Sequence, residues 1–125
     1  MSKLAALVAV RVMGWHSIVG GWGKWYNDKG QHEVLPEQWN PHASMDDAWA
    51  VVAKMRERGW LFKIDDSGRD RELTVVWFHY SRDGFTIDAE AVAKSVVGKE
   101  PEAICIAALR ACGVPEAEIE EARKQ

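Results

Sequence analysis

The sequence predicts an α+β fold: a three-layer α/β/α sandwich built on a small antiparallel sheet of three to four strands. Three observations point there. Apolar residues recur at helical spacing near the start, the middle and the end of the chain. The stretch from Leu73 to Tyr80 reads as a long strand that is apolar on both faces, and such a strand is normally covered on both. Turn compositions at residues 65–70 and 81–84 join it to neighbouring strand candidates.

The elements follow in order. Ser2 to Trp15 reads as helix, with Leu4, Leu7, Val8 and Val12 on one stripe, Ser2 as cap and Gly14 as stop. Residues 15–43 are punctuated by Gly20, Gly21, Gly23, Gly30, Pro36 and Pro41. They predict a long loop with short strands at Gly23–Tyr26 and His32–Leu35. Ser44 caps a helix from Met45 to Arg58. Asp46 and Asp47 lie in its first turn and Lys54, Arg56 and Arg58 in its last, as the helix dipole favours. Its expected buried face is Met45, Ala48, Trp49, Val52 and Met55. Trp60 to Ile64 alternates as a strand. Asp88 to Val97 reads as either helix or strand. Pro101 opens a helix to Cys112 with a core stripe of Ile104, Cys105, Ala108, Leu109 and Cys112, and Gly113 stops it. The expected division is one domain over residues 1–113 and a polar, acidic helical tail over 114–125.

Composition narrows the class. With 125 residues the chain can bury roughly two thirds of its surface, enough for one core. Hydrophobic residues make up 47% and charged residues 28%, and mean hydropathy is −0.28. No apolar run approaches the roughly 20 residues of a membrane span. Sixteen basic against nineteen acidic residues give a net charge of −3. That argues against general nucleic-acid binding, which needs a basic surplus. Cys105 and Cys112 lie two helical turns apart, roughly 10 Å, too far for a mutual disulfide; they read as buried free thiols. Met1 to Leu7 holds a short apolar stretch soon broken by Arg11, unlike a signal peptide, so the expected location is cytoplasmic.

Three segments, taken together, resemble a known family. They are Leu7 to Trp15 with its Val12-Met13-Gly14-Trp15 end; Trp39 to Ser44, with the Pro41-x-x-Ser44 cap leading into Ala48-Trp49; and Pro101 to Ala111 with Ala103-Ile104-Cys105-x-Ala107-Ala108-Leu109. In this order they are similar to the phage ABA sandwich family of small phage and prophage proteins. The resemblance spans residues 4–112 and implies an α/β/α sandwich of phage origin, at work in the host cell cytoplasm. It departs from the family at 20–30, 88–97 and after Gly113, and it carries no catalytic residues.

The candidate ligand-binding residues are Trp22, Lys24, Trp25, Tyr26, Trp39, His42 and Arg82. Aromatic rings in a Gly-rich segment stack on bases or anchor protein interfaces. Lys24 and Arg82 supply the positive charge that an anionic, base-containing ligand needs. His16, His32, His42 and His79 lack metal-ligand spacing, Asp65, Asp66 and Asp70 lack the pattern of an EF-hand, and Gly20 to Lys24 lacks P-loop spacing. No metal, cofactor or catalytic residue is assigned. The reading is a phage accessory protein that acts by binding, either sequestering a nucleotide-like host signal or inhibiting a host defence protein. Two alternatives stay open: a small enzyme on a phosphate-containing molecule with His42 or His79 as acid–base group, and an assembly protein that forms a homo-oligomer.

Overall fold

The computed structural model describes residues 1–17, 25–27, 33–34, 38–65, 73–83, 87–96 and 98–124. In chain order the elements are α1 (Lys3–Arg11), β1 (His16–Ser17), β2 (Trp25–Tyr26), β3 (Glu33–Val34), α2 (Met45–Glu57), β4 (Trp60–Asp65), β5 (Leu73–Tyr80), β6 (Ala89–Val96), α3 (Glu100–Ala111) and α4 (Glu116–Arg123). Two antiparallel three-stranded sheets form, β1-β2-β3 and β4-β5-β6. The mixed α+β class is as expected, and the sandwich description fits it.

The helix ends follow local chemistry. The Ser2 hydroxyl accepts from the Ala5 N–H at 3.0 Å, and α1 stops at Arg11 rather than reaching Trp15. The Ser44 hydroxyl accepts from the Asp47 N–H at 3.4 Å, and the Asp47 carboxylate accepts from the Asn40 N–H at 2.8 Å. The second bond ties the incoming loop to the first turn of α2. Gly59 ends α2 at φ +92°, and a Cβ there would stand 3.1 Å from the Tyr80 ring. Both the backbone angle and the ring therefore favour glycine.

The main sheet has two unlike faces. Trp60, Phe62 and Ile64 of β4 share one face with Thr74, Val76, Phe78 and Tyr80 of β5 and Ala89, Ala91 and Ala93 of β6. Both helices that pack on the sheet lie here: α3 against β5 and β6, α2 against β4. Thr74, Val76, Phe78, Ala91 and Ala93 are buried, and the alanines let α3 come close. The stretch 88–97 is thus strand; its period-2 alanines outweigh the helix propensity of alanine. Leu61, Lys63, Val75, Trp77, His79, Glu90, Val92 and Lys94 form the other face. Val75, Trp77, His79 and Val92 are only half-buried there. The two-sided apolar pattern of β5 therefore reflects one helix-covered face and one aromatic face carrying charge from its neighbours.

α3 is buried from Ala103 through Leu109 without a break, wider than the expected stripe. On the side away from the sheet it meets α1 and α4. α4 lies within the stretch read as a tail, yet Ile119 and Ala122 join the main core together with Val114. Two expectations are corrected. Trp49 is 46% exposed, lying edge-on to Phe62 at 5.8 Å, and Val51 takes the buried place. Cys112 is exposed while Cys105 is buried, because α3 ends at Ala111 and Cys112 falls on the turn.

Glu100 fastens the start of α3. Its carboxylate accepts from the Gly98 N–H at 2.9 Å and from the Thr74 hydroxyl at 3.4 Å. The backbone bonds, the Gly98 one foremost, hold its pKa below the ordinary value. A depressed carboxylate pKa stabilises the fold above the unfolded value, near 4.3, and that contribution is lost as pH falls through the folded value. Thermal unfolding followed across pH should show the Glu100→Gln variant with a shallower loss of Tm below about pH 4.3 than wild type. Parallel curves would refute this role.

Candidate functional site

The residues singled out from the sequence separate in space. Trp22 and Lys24 lie outside the described residues. Trp25 and Tyr26 form β2; Trp25 is half-buried against the core, and Tyr26 stacks on His16 at 6.0 Å between centroids. Trp39 is 5% exposed. Its indole N–H donates to the Ala5 carbonyl at 3.1 Å, and its ring lies 4.5 Å from that of Trp15. It is a core ring that locks the loop before α2 onto α1. His42 precedes α2, whereas Arg82 follows β5, beside the other end of that helix. A 13-residue helix separates the two by about 20 Å. Arg82 is exposed, and its backbone N–H donates to the Asp88 carboxylate at 2.8 Å.

His42 lines a small cavity of about 120 Å³ with Ser2, Leu4, Glu102, Ala122 and Arg123. Its Nδ1 is buried without a hydrogen-bond partner. The charges around it are already engaged: Arg123 meets Glu102 at 3.0 Å and Glu120 at 3.0 Å. The volume is small against the roughly 300 Å³ at which small-molecule sites begin. It holds a few waters or a small ion more readily than a nucleotide.

The larger feature is the open face of the main sheet. Register places Lys63, Trp77 and Val92 in one row across the three strands, Leu61, His79 and Glu90 in the next, and Asp65, Val75 and Lys94 in the third. The Lys63 ammonium lies 5.1 Å from the centre of the Trp77 ring. Such a cation–π contact contributes roughly 0.5–1 kcal/mol at an exposed site. Leu61 is 62% exposed beside it. The result is an aromatic centre, an aliphatic surround and charges of both signs at the margin. Sequence reading missed it by expecting both faces of the Leu73–Tyr80 strand, Trp77 included, to be covered. The available signal was Lys63, Glu90 and Lys94, which alternate onto the Trp77 face from both flanking strands.

Among the described residues no group of three or more His, Cys, Asp or Glu is placed to hold a metal ion. The two thiols differ. Burial pushes the Cys105 thiol far up and raises that of Cys112 less, where Arg58 stands 3.8 Å from the sulfur and favours the thiolate. Titration of the native protein with a thiol-reactive dye at mildly alkaline pH should label Cys112 and leave Cys105 untouched until denaturant is added. Equal labelling would contradict the placement of α3. The core role of Trp39 has its own check. Trp39→Ala should lower stability in urea unfolding by roughly 3–5 kcal/mol, and Trp49→Ala by clearly less. Equal losses would overturn the distinction.

No helix among the described residues is long and apolar enough to cross a membrane. No match to the chain is found among curated proteins or solved structures. A sequence model of the phage ABA sandwich domain, by contrast, matches residues 6–109. That span runs from the middle of α1 to the last buried turn of α3 and takes in the main sheet and its covering helices. The chain belongs to the phage ABA sandwich domain family.

Proposed function

We propose that the protein is a phage-encoded accessory protein that acts in the host cytoplasm by binding a host protein, and that the open face of the main sheet is the contact surface. The Lys63–Trp77–Val92 row carries this reading. It sets an aromatic ring at the centre of a face that α2 and α3 leave to solvent. Apolar side chains beside it and charges of both signs at its edges suit an amphipathic helix of the partner, with acidic residues flanking the apolar stripe to meet Lys63 and Lys94 and basic residues to meet Asp65 and Glu90. Such a helix would lie across β5 as α3 does on the opposite face. Inhibition of a host defence protein is the simplest use of a surface of this kind, since occupying a partner needs no turnover.

A nucleotide-like ligand draws its support from Trp22, Lys24, Trp25 and Tyr26 as a Trp-rich segment, and the small His42 cavity adds little to it.

The test is capture from host lysate with wild type and with Leu61→Glu, followed by purification of the captured protein and pairwise titration. Wild type should bind it, Leu61→Glu and Lys63→Glu should each weaken binding about tenfold or more, and Arg56→Ala on α2 should leave it unchanged. Equal binding by wild type and Leu61→Glu would move the contact elsewhere. A nucleotide-sized mass retained in native mass spectrometry, with no protein partner captured, would replace this reading with sequestration.

A further inference from the structure

α1 is apolar on two sides. Leu4, Ala5, Val8, Ala9 and Val12 are buried in the core. Ala6 and Val10, with the half-buried Leu7 that also packs on the core, form a second stripe, bounded by Lys3 at one end and Arg11 at the other. A helix seated on a protein surface ordinarily turns polar residues outward. Here the outward stripe is apolar, and Val10 is 49% exposed.

α4 runs antiparallel beside α1. Arg11 of α1 meets Glu118 of α4 at 3.4 Å, while Ser2 and Leu4 share the His42 cavity with Ala122 and Arg123. Between the two helices runs an open groove of about 470 Å³. Ala6, Leu7, Val10 and Ala122 make its apolar lining. Lys3 and Arg11 edge it along α1, and Glu118 and Glu121 edge it along α4.

We propose that this groove is the contact between two copies of the chain, with α1 of each seated in the groove of the other about a two-fold axis parallel to the helices. The charges carry the choice of occupant. With that axis, α1 of one copy runs antiparallel to the partner's α4, so Arg11 meets the partner's Glu118 and Lys3 meets the partner's Glu121, the basic edge of each copy lying on the acidic edge of the other. Each end of the interface then holds two cations and two carboxylates, a neutral set. The apolar stripes of the two α1 helices meet along the axis between them, Leu7 and Val10 of one copy against the same stripe of the other. An isologous contact of this kind closes on itself and yields a dimer. Its footprint is limited by α1, about 14 Å long, and by the width of two helices, about 20 Å. That is well short of the roughly 800 Å² per partner of a standard interface. The dimer is therefore weak and concentration-dependent.

Sedimentation from micromolar to millimolar protein tests this. Wild type should pass from one to two chains in weight-average mass. Val10→Glu, with unchanged Tm, should shift the transition to at least about tenfold higher concentration. Charge reversal supplies a second arm that does not depend on Val10. Lys3→Glu with Arg11→Glu leaves four carboxylates at each end and should abolish self-association. Glu118→Lys with Glu121→Lys leaves four cations and should do the same. Mixing the two double variants restores two charges of each sign, so they should pair with each other. A wild type that stays monomeric, a Val10→Glu variant that dimerises like wild type, or double variants that fail to pair when mixed would each overturn the proposal. So would a dimer lost in Leu61→Glu and retained in Val10→Glu, which would place the contact on the sheet.

Discussion

A helix with no polar face must be enclosed, and α3 is such a helix. Its residues from Ala103 to Leu109 are all buried. The sheet takes one side, α2 lies alongside, and α1 with α4 takes the remainder. The charges of α3 sit only near its ends, and each ties it to a different neighbour. Glu100 accepts from Thr74 of β5, Glu102 pairs with Arg123 of α4, and Arg110 donates to the Val92 carbonyl of β6 at 2.7 Å while pairing with Glu116 at 2.7 Å. The apolar middle of α3 supplies the burial that drives folding, and its charged ends fix its rotation and position among the elements around it.

That arrangement leaves two surfaces on opposite sides of the body. The outer face of the sheet carries Trp77 and Leu61; the outer faces of α1 and α4 carry Val10 and the groove. Both are apolar strips with charges at the margins. They differ in symmetry of charge. The helical surface has a basic edge and an acidic edge, which suits a copy of itself. The sheet surface sets charges of both signs around its central ring, Lys63 and Lys94 with Asp65 and Glu90, scattered over two strands rather than gathered into opposite edges.

Much of the fold was legible in the chain because its determinants are local. The capping serines Ser2 and Ser44, the glycine stops at Gly59 and Gly113 and the continuous apolar run of β5 between two turns each act within a few positions. Trp49 misled because helical spacing defines a stripe and leaves its width open; at its edge a large ring meets solvent on one side and Phe62 on the other. Trp77 misled because an apolar position on a strand does not by itself say which layer covers it. Trp39 looked like a loop aromatic, and only the long-range bond from its indole to Ala5 places it in the core. The candidate site was less legible still. Residues 22–26 and 39–42 are close in sequence to one another, yet the open face draws its side chains from three strands between residues 61 and 94. The family resemblance carried further than any of these readings, since three short segments in a fixed order anticipated the match over residues 6–109.

The bond from Arg110 to Val92 has a consequence for how the sheet ends. β4 and β6 are both edge strands, and an exposed edge is a template on which another chain can add. On β6 one edge carbonyl is already taken by a guanidinium that Glu116 also grips from α4. An incoming strand would have to displace both. The two edges of the sheet are thereby unequal: at Val92 an incoming strand meets a guanidinium that must first let go, so strand addition is disfavoured on β6 relative to β4.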